Sequence, residues 1–371
     1  MNRSRTPMLQ LFAGLMFLVG TNAGVAVAQD NKPSTHADAN RLDGPSAVAV
    51  ANLEEKDFAD FHEDLTSVKL DTRTLELKLA MPGPRAAFAN CDLQTVRLKW
   101  RPNDSLDLYI CIPKGVEKPP VIVYLYGYPF NEKRYSDDGW YARTTDMGYA
   151  TIAFFPALSG PRLHSPRPLR QNFLSQLPET LAMTAHDTQM VINYLSTRKD
   201  LNLDLDRLGI FATSFGATAA ILAAAADSRI KAIDLLNPWG DWPDWVKKSE
   251  LLGFVPCETC SQPEFLQNLA PLDPVKWLPT LTTPYIRIRH FVENGETPRI
   301  AQDRMEAVVA KSAKVVRYEN VAAFNRSAVG GKTFDWIKAA LQVVSSGKPG
   351  NAAEKPSTEL SRDVPGSAQV K

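Results

Sequence analysis

Residues 204–240 read D-L-D-R-L-G-I-F-A-T-S-F-G-A-T-A-A-I-L-A-A-A-A-D-S-R-I-K-A-I-D-L-L-N-P-W-G. The apolar run Leu208–Thr213 predicts a buried strand, the alanine-rich stretch Gly216–Ala226 a helix that begins at once, and Ile230–Leu236 a second strand. Ser214 falls on the turn between the first two. A serine displayed on so tight a strand-to-helix turn needs neighbours two before and two after it with almost no side chain. Ala212 and Gly216 meet that condition, with alanine standing where a glycine is more usual. Such a turn lifts the serine Oγ above the C-terminal edge of the sheet and aims the Phe215 N–H, at the helix N-terminus, toward a developing oxyanion. The plainer alternative is that Ser214 only caps the helix.

The rest of the chain repeats the pattern. Pro120–Tyr126, Tyr149–Phe155, Pro284–His290 and Val315–Tyr318 are short apolar runs, and Glu179–Ser196 has the length of a helix. Continuous apolar strands alternating with helices predict a parallel sheet covered on both faces. Ahead of them, the alternating runs Leu93–Arg101 and Leu106–Pro113 flank Pro102-Asn103-Asp104 and predict an antiparallel hairpin. The fold class is therefore α/β: a mostly parallel central sheet with helices on both faces and antiparallel strands at its N-terminal edge.

Composition excludes several function classes. The 371 residues carry 42 basic and 41 acidic side chains, with 44% hydrophobic residues. Nucleic acid is thus not an expected partner, because no basic excess exists to neutralise phosphates. Arg3 and Arg5, the apolar run Met8–Val19 and Ala26-Val27-Ala28 make residues 1–28 an expected signal peptide; Gly14, Gly20 and Gly24 leave the run short for a membrane anchor. The expected location is periplasmic or extracellular, with no stable membrane span after cleavage. Residues 29–45 are an expected flexible linker, 46–90 an extension packing on the domain, and 345–371 a disordered tail. Among four cysteines, neighbours in sequence make Cys91–Cys111 and Cys257–Cys260 the simplest disulfide pairs. Half a zinc site at Cys257 and Cys260 is the rival, without a second pair to complete it. No cofactor is expected: no phosphate loop, G-x-G-x-x-G after a strand, or H-E-x-x-H motif is present.

Several stretches together resemble the α/β-hydrolase superfamily, in its dienelactone-hydrolase, acetyl-xylan-esterase and prolyl-oligopeptidase-like branch. They are P-V-I-V-Y-L-Y-G-Y-P (120–129), H-D-T-Q-M-V-I-N-Y-L (186–195), the turn at Ser214, D-S-R-I-K-A (227–232) and L-T-T-P-Y-I-R-I-R-H (281–290). The resemblance implies one hydrolase domain over 91–344, with lid insertions around 156–177 and 239–270. It implies Ser214 as nucleophile and Phe215 and Tyr128 as oxyanion donors, Tyr126 standing where histidine is common. It also implies an acid after the strand Pro284–His290, with Glu293 first and Glu296 next; Asp241, after the preceding strand, is the other source.

The base departs from the family pattern. The family's histidine follows the last strand, where this chain has Phe324 and Asn325, and no histidine follows His290. His290, at the C-terminal end of its strand and oriented by Glu293 or Glu296, is the first choice; His164, in a Pro-rich excursion, is the alternative. His186 beside Asp187 reads as a helix-packing or surface position. Trp239, Trp242 and Trp245 either line an apolar substrate pocket or pack a cap onto the sheet, packing being favoured for at least one. The expected activity is an exported serine hydrolase cleaving an ester or amide of a small-molecule or peptide substrate through an acyl-enzyme. The alternative is a catalytically impaired protein that keeps the pocket to bind a ligand or partner.

Overall fold

A computed structural model describes residues 55–59, 61–70, 77–127, 145, 148–162, 173–255, 257–293 and 295–346. Nine strands form one sheet: β1 (Leu79–Ala87), β2 (Cys91–Arg101), β3 (Asp104–Pro113), β4 (Pro120–Leu125), β5 (Ala150–Phe154), β6 (Asp204–Thr213), β7 (Ile230–Leu236), β8 (Tyr285–Phe291) and β9 (Lys314–Tyr318). Their order is β1-β2-β3-β5-β4-β6-β7-β8-β9. From β5 to β9 every pairing is parallel, and the first three strands are antiparallel. The fold is α/β as expected.

The edge strand β1 is the element that the sequence hid. Its L-A-M-P-G-P-R-A-A carries two prolines and a glycine, which argue against a central strand but are tolerated at an edge. The register shifts between Pro82 and Arg85, so the residues unfit for the ladder sit at the irregularity.

β4 and β5 are buried at every position, which is why they read as unbroken apolar runs. On one face of the sheet lie α1 (Leu177–Thr197) and α2 (Phe215–Ala226). Small side chains suit α2, which is packed between α1 and strands β4, β6 and β7. Beyond β7 the chain forms α3 (Trp242–Lys248), then α4 (Arg299–Val308) and α5 (Val321–Ser327); α6 (Asp335–Ser346) covers β6 and β7. Among the described residues no helix is long and apolar enough to cross a membrane.

A buried charged network ties the segment 61–70 to the domain. Asp187 on α1 accepts from Trp100 Nε1 (3.1 Å), Arg101 Nη1 (2.6 Å) and Arg162 Nη1 (2.7 Å). Arg101 also forks onto Glu63, and Arg162 onto Asp104. His186 faces Glu63 with Nδ1 (2.7 Å) and the Ser67 carbonyl with Nε2 (2.9 Å). Burial alone would raise the Glu63 carboxyl, but hydrogen bonds from Arg101 and His186 hold it below the usual glutamate range.

Cys257 and Cys260 are joined in a disulfide, so neither sulfur is a thiolate available to zinc. The expected Cys91–Cys111 bond is not formed; both are buried thiols. The hairpin register explains the difference. Cys91 lies opposite Pro113 and Cys111 opposite Leu93, so the two are diagonal neighbours. Diagonal cross-strand residues have backbones ~7–8 Å apart, at the far limit of disulfide geometry, and the two thiols meet by a hydrogen bond without being joined.

Candidate functional site

Ser214 occupies the step between β6 and α2 with φ 53° and ψ −127°, a backbone conformation that side-chain-bearing residues adopt only under constraint. The constraint is visible on both sides. Its N–H donates to the Leu236 carbonyl (2.7 Å) on β7, while its own carbonyl accepts the Ala217 N–H (2.9 Å) inside α2. Two glycines allow the crowding. A Cβ on Gly216 would stand 2.4 Å from the Leu125 carbonyl oxygen, and one on Gly127 would stand 2.5 Å from Ser214 Cβ. The position two before the serine is less demanding: Ala212 is an ordinary buried strand residue between Leu125 and Leu235.

The Ser214 hydroxyl donates to Glu296 Oε1. Both residues are buried. Glu296 lies in the loop after β8 and is held from several elements. Trp239 Nε1 donates to the same Oε1 (2.7 Å), and Asn237 Nδ2 approaches Oε2 (3.4 Å). Its main chain is tied down as well: Ser249 Oγ donates to the Glu296 carbonyl (2.7 Å), and the Glu250 N–H to the Gly295 carbonyl (2.8 Å). Asn237 and Asp241, on the loop after β7, both have positive φ, a conformation that short polar side chains tolerate. The loop thus turns sharply at the sheet edge and brings Asn237 and Trp239 onto the carboxylate.

The other sequence-nominated residues are placed differently. His290 is not brought to Ser214. Strand alternation turns its ring away from the Arg287 and Arg289 face, toward Glu306 (3.7 Å from Nε2), and neither ring nitrogen has a hydrogen-bond partner. Its assignment as the serine's base is corrected on that ground. Glu293 is exposed and accepts from Asn320 Nδ2 (3.3 Å), so it orients no imidazole beside Ser214. Asp241 occupies the N-cap position of α3 without a side-chain cap bond, and its carboxylate pairs with Arg304 (3.1 Å); burial, opposed by Arg304, raises its carboxyl above the usual range.

Phe324, where the family's histidine would stand, is buried against Phe291, Tyr318 and the Arg289 guanidinium, while Asn325 is exposed. Phe215 is buried in the first turn of α2. Tyr128 and His164 lie outside the described residues. The three tryptophans are all buried. Trp239 packs between Phe215 (6.1 Å) and Trp245 (5.1 Å), and Trp242 meets Trp245 edge-on (5.7 Å). The contacts of Trp239 and Asn237 with the carboxylate were missed in the sequence; the only hint was an N-P-W directly after a strand at the edge that carries the serine.

The buried His290 has a consequence for stability. Burial, reinforced by Arg317 and Arg299, pushes its imidazole down to about 3 from the ordinary 6.5. Between those values the unfolded chain binds a proton that the folded chain refuses, so stability falls as pH drops below 6.5, by ~1.4 kcal/mol per pH unit at most. His290→Leu is expected to flatten that part of the pH dependence, read as urea midpoints from pH 7 downward to ~4. Parallel curves for the two proteins would show that His290 contributes nothing to acid sensitivity.

Structures already solved resemble this one at low sequence identity. Acetyl xylan esterase 1 from Thermoanaerobacterium sp. JW/SL YS485 superposes with a TM-score of 0.56 at 12% identity, over 72% of this chain and 91% of the other. The acetyl xylan esterase from Paenibacillus sp. R4 gives 0.54 at 16% identity, over 72% and 93%. The fold is that of the α/β hydrolases. Within that fold Ser214 stands on a strand-to-helix turn and Glu296 in the loop after β8, and the two touch directly. The chain matches no protein-family profile and no curated protein sequence.

Proposed function

We propose that the protein is an exported serine hydrolase that cleaves an ester or amide bond, with Ser214 as nucleophile and Glu296 as its base. The observation that carries this reading is the hydrogen bond from the strained Ser214 hydroxyl to a carboxylate held by Trp239 and Asn237. A serine needs a neighbour to take its proton before it becomes a useful nucleophile, and a carboxylate within hydrogen-bond reach can do so.

In the acylation step, Ser214 Oγ bonds to the substrate carbonyl carbon while its proton passes to Glu296. The Phe215 and Tyr128 N–H groups are proposed to hold the oxyanion, in the arrangement in which a helix N-terminus and the loop after β4 flank the serine. Collapse of the tetrahedral species breaks the bond to the leaving oxygen or nitrogen, which takes the proton from Glu296. Water then repeats the sequence: it gives its proton to Glu296, releases the acid product and restores the hydroxyl. The export part rests on the basic, apolar and small-residue pattern of residues 1–28, and the Cys257–Cys260 disulfide is compatible with it.

A fluorophosphonate tests the nucleophile. With protein recovered from the extracytoplasmic fraction, whose intact mass should correspond to a chain starting at Gln29, the reagent is expected to modify Ser214 and to leave Ser214→Ala unmodified. A folded wild-type protein that never labels would favour the ligand-binding alternative. That alternative draws on the complete burial of Ser214 and on the lack of any imidazole hydrogen-bonded to it among the described residues.

A further inference from the structure

Two donors converge on one oxygen of Glu296, and they come from different elements. Ser214 Oγ arrives from the turn after β6 and Trp239 Nε1 (2.7 Å) from the loop after β7. An oxygen that accepts two donors carries no proton of its own, and both bonds are strongest when the whole carboxyl group is ionised. The indole is not free to drift. The Trp239 main chain is clamped to α2 in both directions, its N–H donating to Thr218 Oγ1 (2.9 Å) and its carbonyl accepting from the same hydroxyl (2.8 Å). Its ring is wedged between Phe215 and Trp245.

Resting on the serine-hydrolase reading above, we propose that Trp239 is a positioning residue: its indole N–H fixes which lone pair of Glu296 receives the Ser214 proton and favours the charged form that can receive it. A carboxylate oxygen has two lone pairs in its plane. With one occupied by a rigid N–H, only the other is open to the serine, and the carboxylate cannot rotate away without losing a charge-assisted bond. The same bond opposes protonation of Glu296 from solvent, so the base stays usable at lower pH than an unsupported glutamate would.

The charged side chains described near the loop act differently. Glu250, whose carboxyl group lies against Gly295, would oppose it, and Asp241 is already paired with Arg304, which also reaches Asp244. Asn237 Nδ2, at 3.4 Å from Oε2, supports the carboxylate more weakly than Trp239 does.

The test is the pH dependence of fluorophosphonate labelling of the full chain. Trp239→Phe keeps an aromatic ring between Phe215 and Trp245 and removes only the donor. Loss of a charge-assisted hydrogen bond weakens the preference for the ionised form by about tenfold, so the acidic limb of the labelling profile is expected to move up by about one pH unit. Should Trp239→Phe fail to fold, replacing Trp239 by its benzothiophene isostere, which keeps the ring shape and lacks the N–H, gives the same readout.

A limb that stays in place in a folded variant, even with a lower plateau rate, would reduce Trp239 to packing and overturn the proposal. Wild-type protein that does not label would instead overturn the serine-hydrolase reading beneath it, and Glu296→Gln that labels with an unchanged profile would remove Glu296 as the base and overturn the role of Trp239 with it.

Discussion

Glu296→Gln is expected to slow acylation of Ser214 by ~10²–10⁴, the usual worth of a positioned general base. Glutamine can still accept a hydrogen bond from the Ser214 hydroxyl through its amide oxygen, but it cannot take the proton. Binding and geometry should therefore survive while reactivity does not. Two companion variants make the result specific. His290→Ala should leave the rate of the folded protein unchanged, because that ring faces Glu306 and not Ser214. His164→Ala distinguishes the remaining possibility, since His164 lies outside the described residues and was the alternative base. A steep loss in His164→Ala with none in Glu296→Gln would transfer the role to the imidazole. The pH profile gives a second reading: an imidazole base leaves an acidic limb near ~6.5, whereas a carboxylate base moves it toward the carboxylate range.

Asp187→Ala is expected to cost about 3–5 kcal/mol of unfolding free energy, the second large effect. Two arginines depend on that carboxylate, and both are almost fully buried: Arg101 at 2.6 Å and Arg162 at 2.7 Å. Removing it strands part of each guanidinium away from water, and the Trp100 indole N–H loses its acceptor too. Urea denaturation would measure the loss, and a change below ~1 kcal/mol would mean that water or the remaining carboxylates, Glu63 and Asp104, compensate. The bonds described for the network do not reach Ser214 or Glu296, so the folded fraction of Asp187→Ala should label with fluorophosphonate at the wild-type rate. That separates a stability defect from a catalytic one.

Most of the fold was legible because its signals are local. β4 and β5 are sandwiched between helices, so burial on both faces writes itself into Pro-Val-Ile-Val-Tyr-Leu and Ala-Thr-Ile-Ala-Phe. The turn at Ser214 was legible for a related reason: Gly216 is demanded by the Leu125 carbonyl 2.4 Å from where its Cβ would stand, and a steric demand of that kind leaves a glycine in the sequence. β1 was not legible, because an edge strand can afford prolines that a central strand cannot.

The network around Asp187 was illegible as a network. Glu63, Arg101, Arg162 and Asp187 are separated by long stretches of chain, and a charged residue in sequence looks the same on the surface as in a buried cluster. The missing Cys91–Cys111 bond has the same origin, since only the hairpin register shows the two residues to be diagonal.

At the candidate site, sequence alone determined that a serine would stand on a sharp turn at the end of a buried strand, that acids would follow the next strands, and that no histidine would follow the last one. Which acid meets the serine was decided by the tertiary structure. Glu293 and Glu296 are three residues apart in one loop, yet one is exposed beside Asn320 and the other is drawn beneath Trp239 by the bonds from Ser249 and Glu250. His290 was decided the same way, by the parity of a strand that turns its ring from the site. A side chain's chemistry is fixed by its residue type, but its partner is fixed by the direction in which the packed backbone points it, and that direction exists only once distant segments have come together.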